Sequence, residues 1–313
     1  MMLARVADSL YWVGRYVERA EHVCRLADVT LNATLDRSTA ANETARIALA
    51  ALGDELTEAD GNLFETARSL TLGHEDPNSV RMSLARAREN ARQVRDQITT
   101  EMWERLNMLY LRVTADTADR QFDRASSSFL HDVIADLHLF KGAADATMSH
   151  GEGWRFLMLG VHIERAQLIA RLLRAAFGDG AVPTGDHVTL MNVLRMGCAL
   201  EPYLRTYTAE IEPKHILDFL LFDEDFPRSI RFATARIEES MADIASHAAF
   251  GGRGRPERLA GRLRSRLEFT DLEELEANGA ATLLASVVAD CSRIHEALYQ
   301  TFVAYPLEMR LPA

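Results

Sequence analysis

Two Glu-Arg dipeptides carry the residues of this chain best placed for chemistry. Glu18-Arg19 lies within Leu10–Leu31, and Glu164-Arg165 lies within a related stretch, Phe156–Phe177. Gly14, Glu18, Arg19, Ala20, Arg25 and Leu26 align with Gly160, Glu164, Arg165, Ala166, Arg171 and Leu172, a shared pattern G-x-x-x-E-R-A-x-x-x-x-R-L. On a helix of about 3.6 residues per turn, Arg15, Glu18, Arg19 and His22 fall on one side with Arg25 at its edge. A carboxylate and an imidazole one turn apart could trade protons or share a metal ion. The same residues allow two plainer arrangements. The side could be solvated, each exposed pair adding roughly 0.2–0.5 kcal/mol. Alternatively the two helices could be neighbours, each Glu meeting the Arg of the other, an arrangement that sets register more than stability.

Other clusters offer less. Arg81, Arg88, Arg92 and Arg95 share a narrow helical stripe, and their repulsion calls for acids such as Glu18 or Glu21, or for an anionic ligand. A solvated stripe is the alternative. His131-Asp-Val-Ile-Ala-Asp136-Leu-His138 puts two aspartates one turn apart, as a magnesium-diphosphate site requires. The only approximation to a second such helix, Asp218 and Asp223, has the wrong spacing. Glu212-Pro-Lys-His215 matches one half of a di-iron motif but contains a proline and occurs once. Phosphate-loop, dinucleotide, nucleophile-elbow and zincin motifs are absent. No metal ligand set and no cofactor is expected.

The elements that must position these groups read as helices throughout, because no run alternates apolar and polar residues. The first spans about Leu3–Leu35, with Val6, Leu10, Val13, Val17, Ala20, Cys24, Ala27 and Leu31 as its apolar stripe. Shorter segments follow at Glu43–Leu52 and Ala59–Leu72, then a turn, Gly73–Ser79, whose Asn78 or Ser79 can cap the next helix. Val80–Val113 reads as one long helix and Gln121–Ser149 as another. The second Glu-Arg helix comes next, followed by a linker at Gly178–Gly185. Val188–Leu204, Pro213–Leu221, Arg228–Ala249, Glu257–Leu267 and Ala277–Tyr305 complete the set, with Pro202 as a kink or early stop. The expected fold is all-α: one domain over 1–313, a multi-helix bundle with an internal pseudo-repeat of the Glu-Arg helix and halves of about 1–150 and 151–313.

Hydrophobic residues make up 48% and charged residues 26%, ordinary values for a globular domain. The net charge of −11 argues against nucleic acid or an anionic membrane as the main partner. Lys141 and Lys214 are the only lysines, so the positive charge is almost all arginine. Base composition explains that, as does recognition of carboxylate or phosphate by the guanidinium fork. Cys24, Cys198 and Cys291 are scattered in apolar surroundings, and no stretch reads as a signal peptide or membrane span, so a cytoplasmic location is expected.

Taken together, Met2–Glu21, Ala87–Asp96, Glu101–Asn107, Gly151–Leu157, Ile163–Ala166 and Phe226–Ser229 resemble the bacterial alpha-E domain family, an all-helical fold with a Glu-Arg motif. One departure is Val161-His162, which stands where the first copy has Arg15-Tyr16. The resemblance implies company: such domains accompany, or are fused to, a circularly permuted ATP-grasp-like protein, often with a transglutaminase-like protein. It therefore implies a partner subunit in ATP-dependent carboxylate–amine ligation, or in peptide modification or turnover. Whether the domain is itself an enzyme is left open. The alternative is a self-contained helical enzyme using Glu18, His22 and Glu164. The candidate polar site comprises Arg15, Glu18, Arg19, His22, Arg25, Arg88, Arg92, Arg95, Glu164, Arg165 and Arg171.

Overall fold

The apolar stripe of the first helix, α1 (Ala4–Ala33), is fully covered from Leu10 to Ala27, but so is most of its polar side, including Glu18, Glu21 and His22. A helix buried all round is the centre of a fold rather than its surface. The computed structural model describes residues 2–33, 40–53, 62–178, 187–208, 210–247 and 254–304. Among these it has fourteen α-helices and no strand. After α1 come α2 (Ala40–Leu52), α3 (Leu63–Leu72), α4 (Val80–Gln93), α5 (Thr100–Thr114), α6 (Ala118–Thr147) and α7 (Glu152–Phe177). Then follow α8 (His187–Met196), α9 (Leu200–Tyr207), α10 (Pro213–Phe222), α11 (Ile230–His247), α12 (Arg255–Phe269), α13 (Leu272–Asn278) and α14 (Ala280–Leu298). Within this set no helix is long and apolar enough to cross a membrane.

Helices α1, α4, α5 and α6 pack in a ring, each against the next, and α7, α11, α12 and α14 form a second ring. The rings join where α1 lies along α7, the most extensive helix–helix interface of the molecule. The two helices run in the same direction: the Met2 amide donates to Glu152 near their starts, and Gly14 meets Gly160's turn further along. The glycines set the spacing. A Cβ on Gly14 would stand 2.1 Å from the Leu157 carbonyl oxygen, and one on Gly160 would stand 2.0 Å from that of Tyr11. Tyr11 and Leu157 are themselves equivalent in the two copies, so the crossing has local two-fold symmetry.

The repeat extends beyond the Glu-Arg helices. Ser79 donates to the Gly73 carbonyl and caps α4 by accepting from the Met82 amide; Ser229 does the same with Asp223 and Phe232 at the start of α11. Pro77-Asn78-Ser79-Val80-Arg81 is thus echoed by Pro227-Arg228-Ser229-Ile230-Arg231. One difference matters below: Asn78 in the first copy is Arg228 in the second.

Several boundaries differ from the sequence reading. Val80–Val113 is two helices, because the chain turns between Val94 and Thr99, and the Thr99 hydroxyl caps α5 by accepting from the Met102 amide. Val188–Leu204 is also two. They are separated at Gly197–Ala199, where Cys198 takes a left-handed φ of 55°, and Pro202 falls in the first turn of α9, where proline is tolerated. Gly279, at φ 80°, separates α13 from α14 within the expected last helix. The polar break at 36–40 and the linker at 178–185 lie outside the described residues except for Ala40 and Gly178.

Candidate functional site

The repeated dipeptides exchange partners across the α1–α7 crossing. Glu18 accepts from Arg165 Nε at 2.7 Å and Nη2 at 2.9 Å. Reciprocally, Glu164 accepts from Arg19 Nε at 2.6 Å. A motif repeated on two parallel helices related by a two-fold axis necessarily brings each acid to the other's base, and at this close spacing the pairs are desolvated. Burial pushes the Glu164 carboxyl up, but Arg15 and Arg19 outweigh it and hold it below the usual carboxylate range. Arg15 also donates to Glu164, at 2.6 Å from Nε, and to the Gln167 oxygen at 2.7 Å.

Around this symmetric centre the two sides differ. On the first copy's side, Glu18 also receives Lys141 from α6 at 2.6 Å and Arg228 from the turn before α11 at 3.5 Å. Glu21, one turn along α1, binds Lys141, Arg228, Arg25 and His138. Four permanent cations thus converge on two buried carboxylates. Burial raises the Glu18 carboxyl and Arg165, Lys141 and Arg228 more than offset it, leaving it well below its ordinary range; Glu21 is lowered likewise against its burial, chiefly by Arg228 and Lys141. Lys141 and Arg228 were not among the sequence-derived site residues. One of only two lysines and an arginine in a repeated turn are signals that could have pointed to them.

The remaining candidates separate. His22 is buried beside the cluster with Nε2 unpartnered. Arg171 is half-buried on the Glu164 side, burial lowers its pKa, and it makes no hydrogen bond among the described residues. Arg88, Arg92 and Arg95 do not join the site, and none of them meets Glu18 or Glu21. Arg88 donates to Asn107 and stacks over Trp103 and Tyr110, Arg95 lies over Trp103, and Arg92 pairs with Glu89 in solvent. The cause is the helix break after Gln93, which removes Arg95 from the stripe and brings the aromatic face of α5 alongside. Arg81 is buried instead against the Val113 carbonyl and Asp119.

The two buried imidazoles make stability depend on acidity. Desolvation, reinforced by Arg228, lowers His22 to about 4; desolvation and Arg165 lower His162 to about 3. An unfolded histidine takes up its proton near 6.5. Between that value and about 4 the unfolded chain binds more protons than the folded one, so folding stability falls as pH falls. The buried glutamates act lower. Their contribution is intact above the ordinary carboxylate range and is lost only as pH drops through their depressed folded values. Urea unfolding should therefore show a midpoint that declines from about pH 6.5 downward, and H22Q/H162Q should flatten the upper part of that decline. An unchanged slope in the double variant would refute the assignment.

A cleft of about 530 Å³ opens at the edge of the cluster. Arg25, Asp28 and Asn32 of α1 line it together with His131 and Ile134 of α6. Asn192 and Arg195 of α8, Cys198, and Leu200 and Glu201 at the start of α9 also line it. His131 faces Asp28 at 3.6 Å. Asp132 and Asp136 point away from the cleft and pair with Arg112 of α5. Asp223, from the other aspartate pair, accepts from the Asp225 and Phe226 amides. No group of three or more His, Cys, Asp or Glu side chains that could hold a metal ion occurs among the described residues.

A family model described as Alpha-E, "a predicted alpha-helical domain with a conserved ER motif", matches residues 2–303. Uncharacterised proteins of Mycobacterium bovis and Mycobacterium tuberculosis are 27% identical over 332 aligned positions, covering 96% of this chain and 37% of theirs. The chain therefore spans little more than a third of the length of these relatives. No solved structure matches it.

Proposed function

The chain belongs to the Alpha-E family, and from that premise we propose that it is the helical partner subunit of an ATP-grasp-like carboxylate–amine ligase acting in peptide ligation, modification or turnover. The observation that carries this reading is the length of its relatives: in them this helical unit is joined to nearly twice its own length of other chain, as 37% coverage requires. A domain retained within longer proteins is suited to work in company. Composition agrees, since among the described residues there is no strand, and the chain has only two lysines with which to grasp a nucleotide. The partner is thus a circularly permuted ATP-grasp-like protein, with a transglutaminase-like protein in the same setting. The self-contained enzyme draws less support. The Glu18 and Glu164 carboxylates are already saturated by cations and held ionised, which suits neither a proton acceptor near neutrality nor a metal ligand.

Co-expression with an ATP-grasp-like protein from the same genome tests the proposal. The expected result is co-elution as one complex and ATP turnover that requires both proteins and a peptide. Failure to associate at micromolar concentration, with ATP and peptide present, would overturn it.

A further inference from the structure

From the cleft between α6 and α8–α9 we infer a binding site for a small ligand carrying both a carboxylate and an amino group, an amino acid or a free dipeptide. The volume of about 530 Å³ is that of a small-molecule site. Its charges are of both signs and two of them are unspent. Arg195 hydrogen-bonds only to Asn192, at 3.0 Å, and meets no carboxylate among the described residues. Glu201 makes no hydrogen bond or ion pair there either. A guanidinium and a carboxylate lining one cleft without pairing with each other offer separate sites to the two ends of a zwitterion.

The α1 side of the lining favours the same ligand. Arg25 enters the cleft from a cluster in which four cations face two carboxylates, so that end is electropositive within a chain of net charge −11. Asp28 lies at the same end, with its carboxylate facing His131 at 3.6 Å. Its Oδ1 is buried without a partner and burial raises its pKa. Val29, Ile134 and Leu200 supply apolar wall for a side chain. Asn192 is held in place by its own bond to Thr44 at 3.1 Å, which orients the amide that steadies Arg195. This assignment rests on the peptide-directed reading above and names where that substrate would lie on this subunit.

The test titrates the whole chain with L-alanyl-L-alanine, its N-acetyl form, its C-terminal amide and inorganic phosphate. Binding is followed by calorimetry and by the ring resonances of His131, whose side chain is exposed at the cleft wall. Each cap should weaken binding about tenfold or more, the loss of one charge-assisted bond. R195Q should weaken the free dipeptide by a similar factor while leaving the C-terminal amide unaffected; E201Q should do so relative to the N-acetyl form. Both residues are exposed, so the variants should melt as the parent does. Absence of binding, indifference to both caps, or phosphate competing equally through Arg195 would overturn the inference. A chain that joins its ATP-grasp-like partner yet fails this titration loses the cleft assignment alone.

Discussion

E18A is expected to cost about 3–5 kcal/mol of folding stability, the range for breaking a buried ion pair by removing one partner. Glu18 is 1% exposed and its two oxygens receive Arg165, Lys141 and Arg228. Its removal strands Arg165 and leaves Lys141 and Arg228 to share Glu21 with Arg25. The penalty arises from the stranded cations rather than from the lost attraction. It follows that E18A/R165M should be less destabilised than the sum of its parts. R92Q supplies the contrast: Arg92 is exposed and pairs with Glu89 on its own helix, so the change should leave the unfolding midpoint close to the parent's. Chemical unfolding of the parent, E18A, R165M, E18A/R165M and R92Q checks this, and an E18A midpoint matching that of R92Q would mean that the cluster carries no stability.

The second large effect is steric. Adding one methyl group at the helix crossing, in G14A or G160A, should destabilise by about 3 kcal/mol, the upper end of the overpacking range, or more. At both positions the new Cβ would lie about 2 Å from a backbone carbonyl oxygen of the other helix. No rotamer change relieves that contact; the helices must separate, and the reciprocal Glu–Arg pairs must stretch with them. G142A tests the same substitution in a helix with open space around the residue. Alanine there should stabilise by about 0.5–1 kcal/mol through helix propensity. Thermal melts of the three variants decide the matter. If G14A melts with the parent, the close approach of α1 and α7 is wrong.

Much of this fold was legible in the chain. The periodicity of Leu10–Leu31 requires a helix, and the repetition of Gly14, Glu18 and Arg19 at Gly160, Glu164 and Arg165 allowed two helices in mutual contact. That inference needs only local rules, since residue spacing on a helix is set by backbone geometry. The break at Val94–Thr99 was less legible, because it lacks Gly and Pro and depends on a threonine cap competing with continued helix.

By itself, then, the sequence determined the helical class and the repeat of the Glu-Arg helix, and it allowed the two copies to be neighbours; that Gly14 and Gly160 are what let them meet came from the packing. The tertiary structure alone decided that the polar side of α1 is interior, that Lys141 and Arg228 complete the cluster, and that Arg88, Arg92 and Arg95 lie elsewhere. It alone formed the cleft, whose lining comes from α1, α6, α8 and α9, segments far apart along the chain. The physical reason is one of range. Helix periodicity records which residues share a face, whereas what covers that face is fixed by packing between distant segments. A single difference between repeats, Asn78 against Arg228, was enough to give one side of a symmetric core a charge that the other lacks.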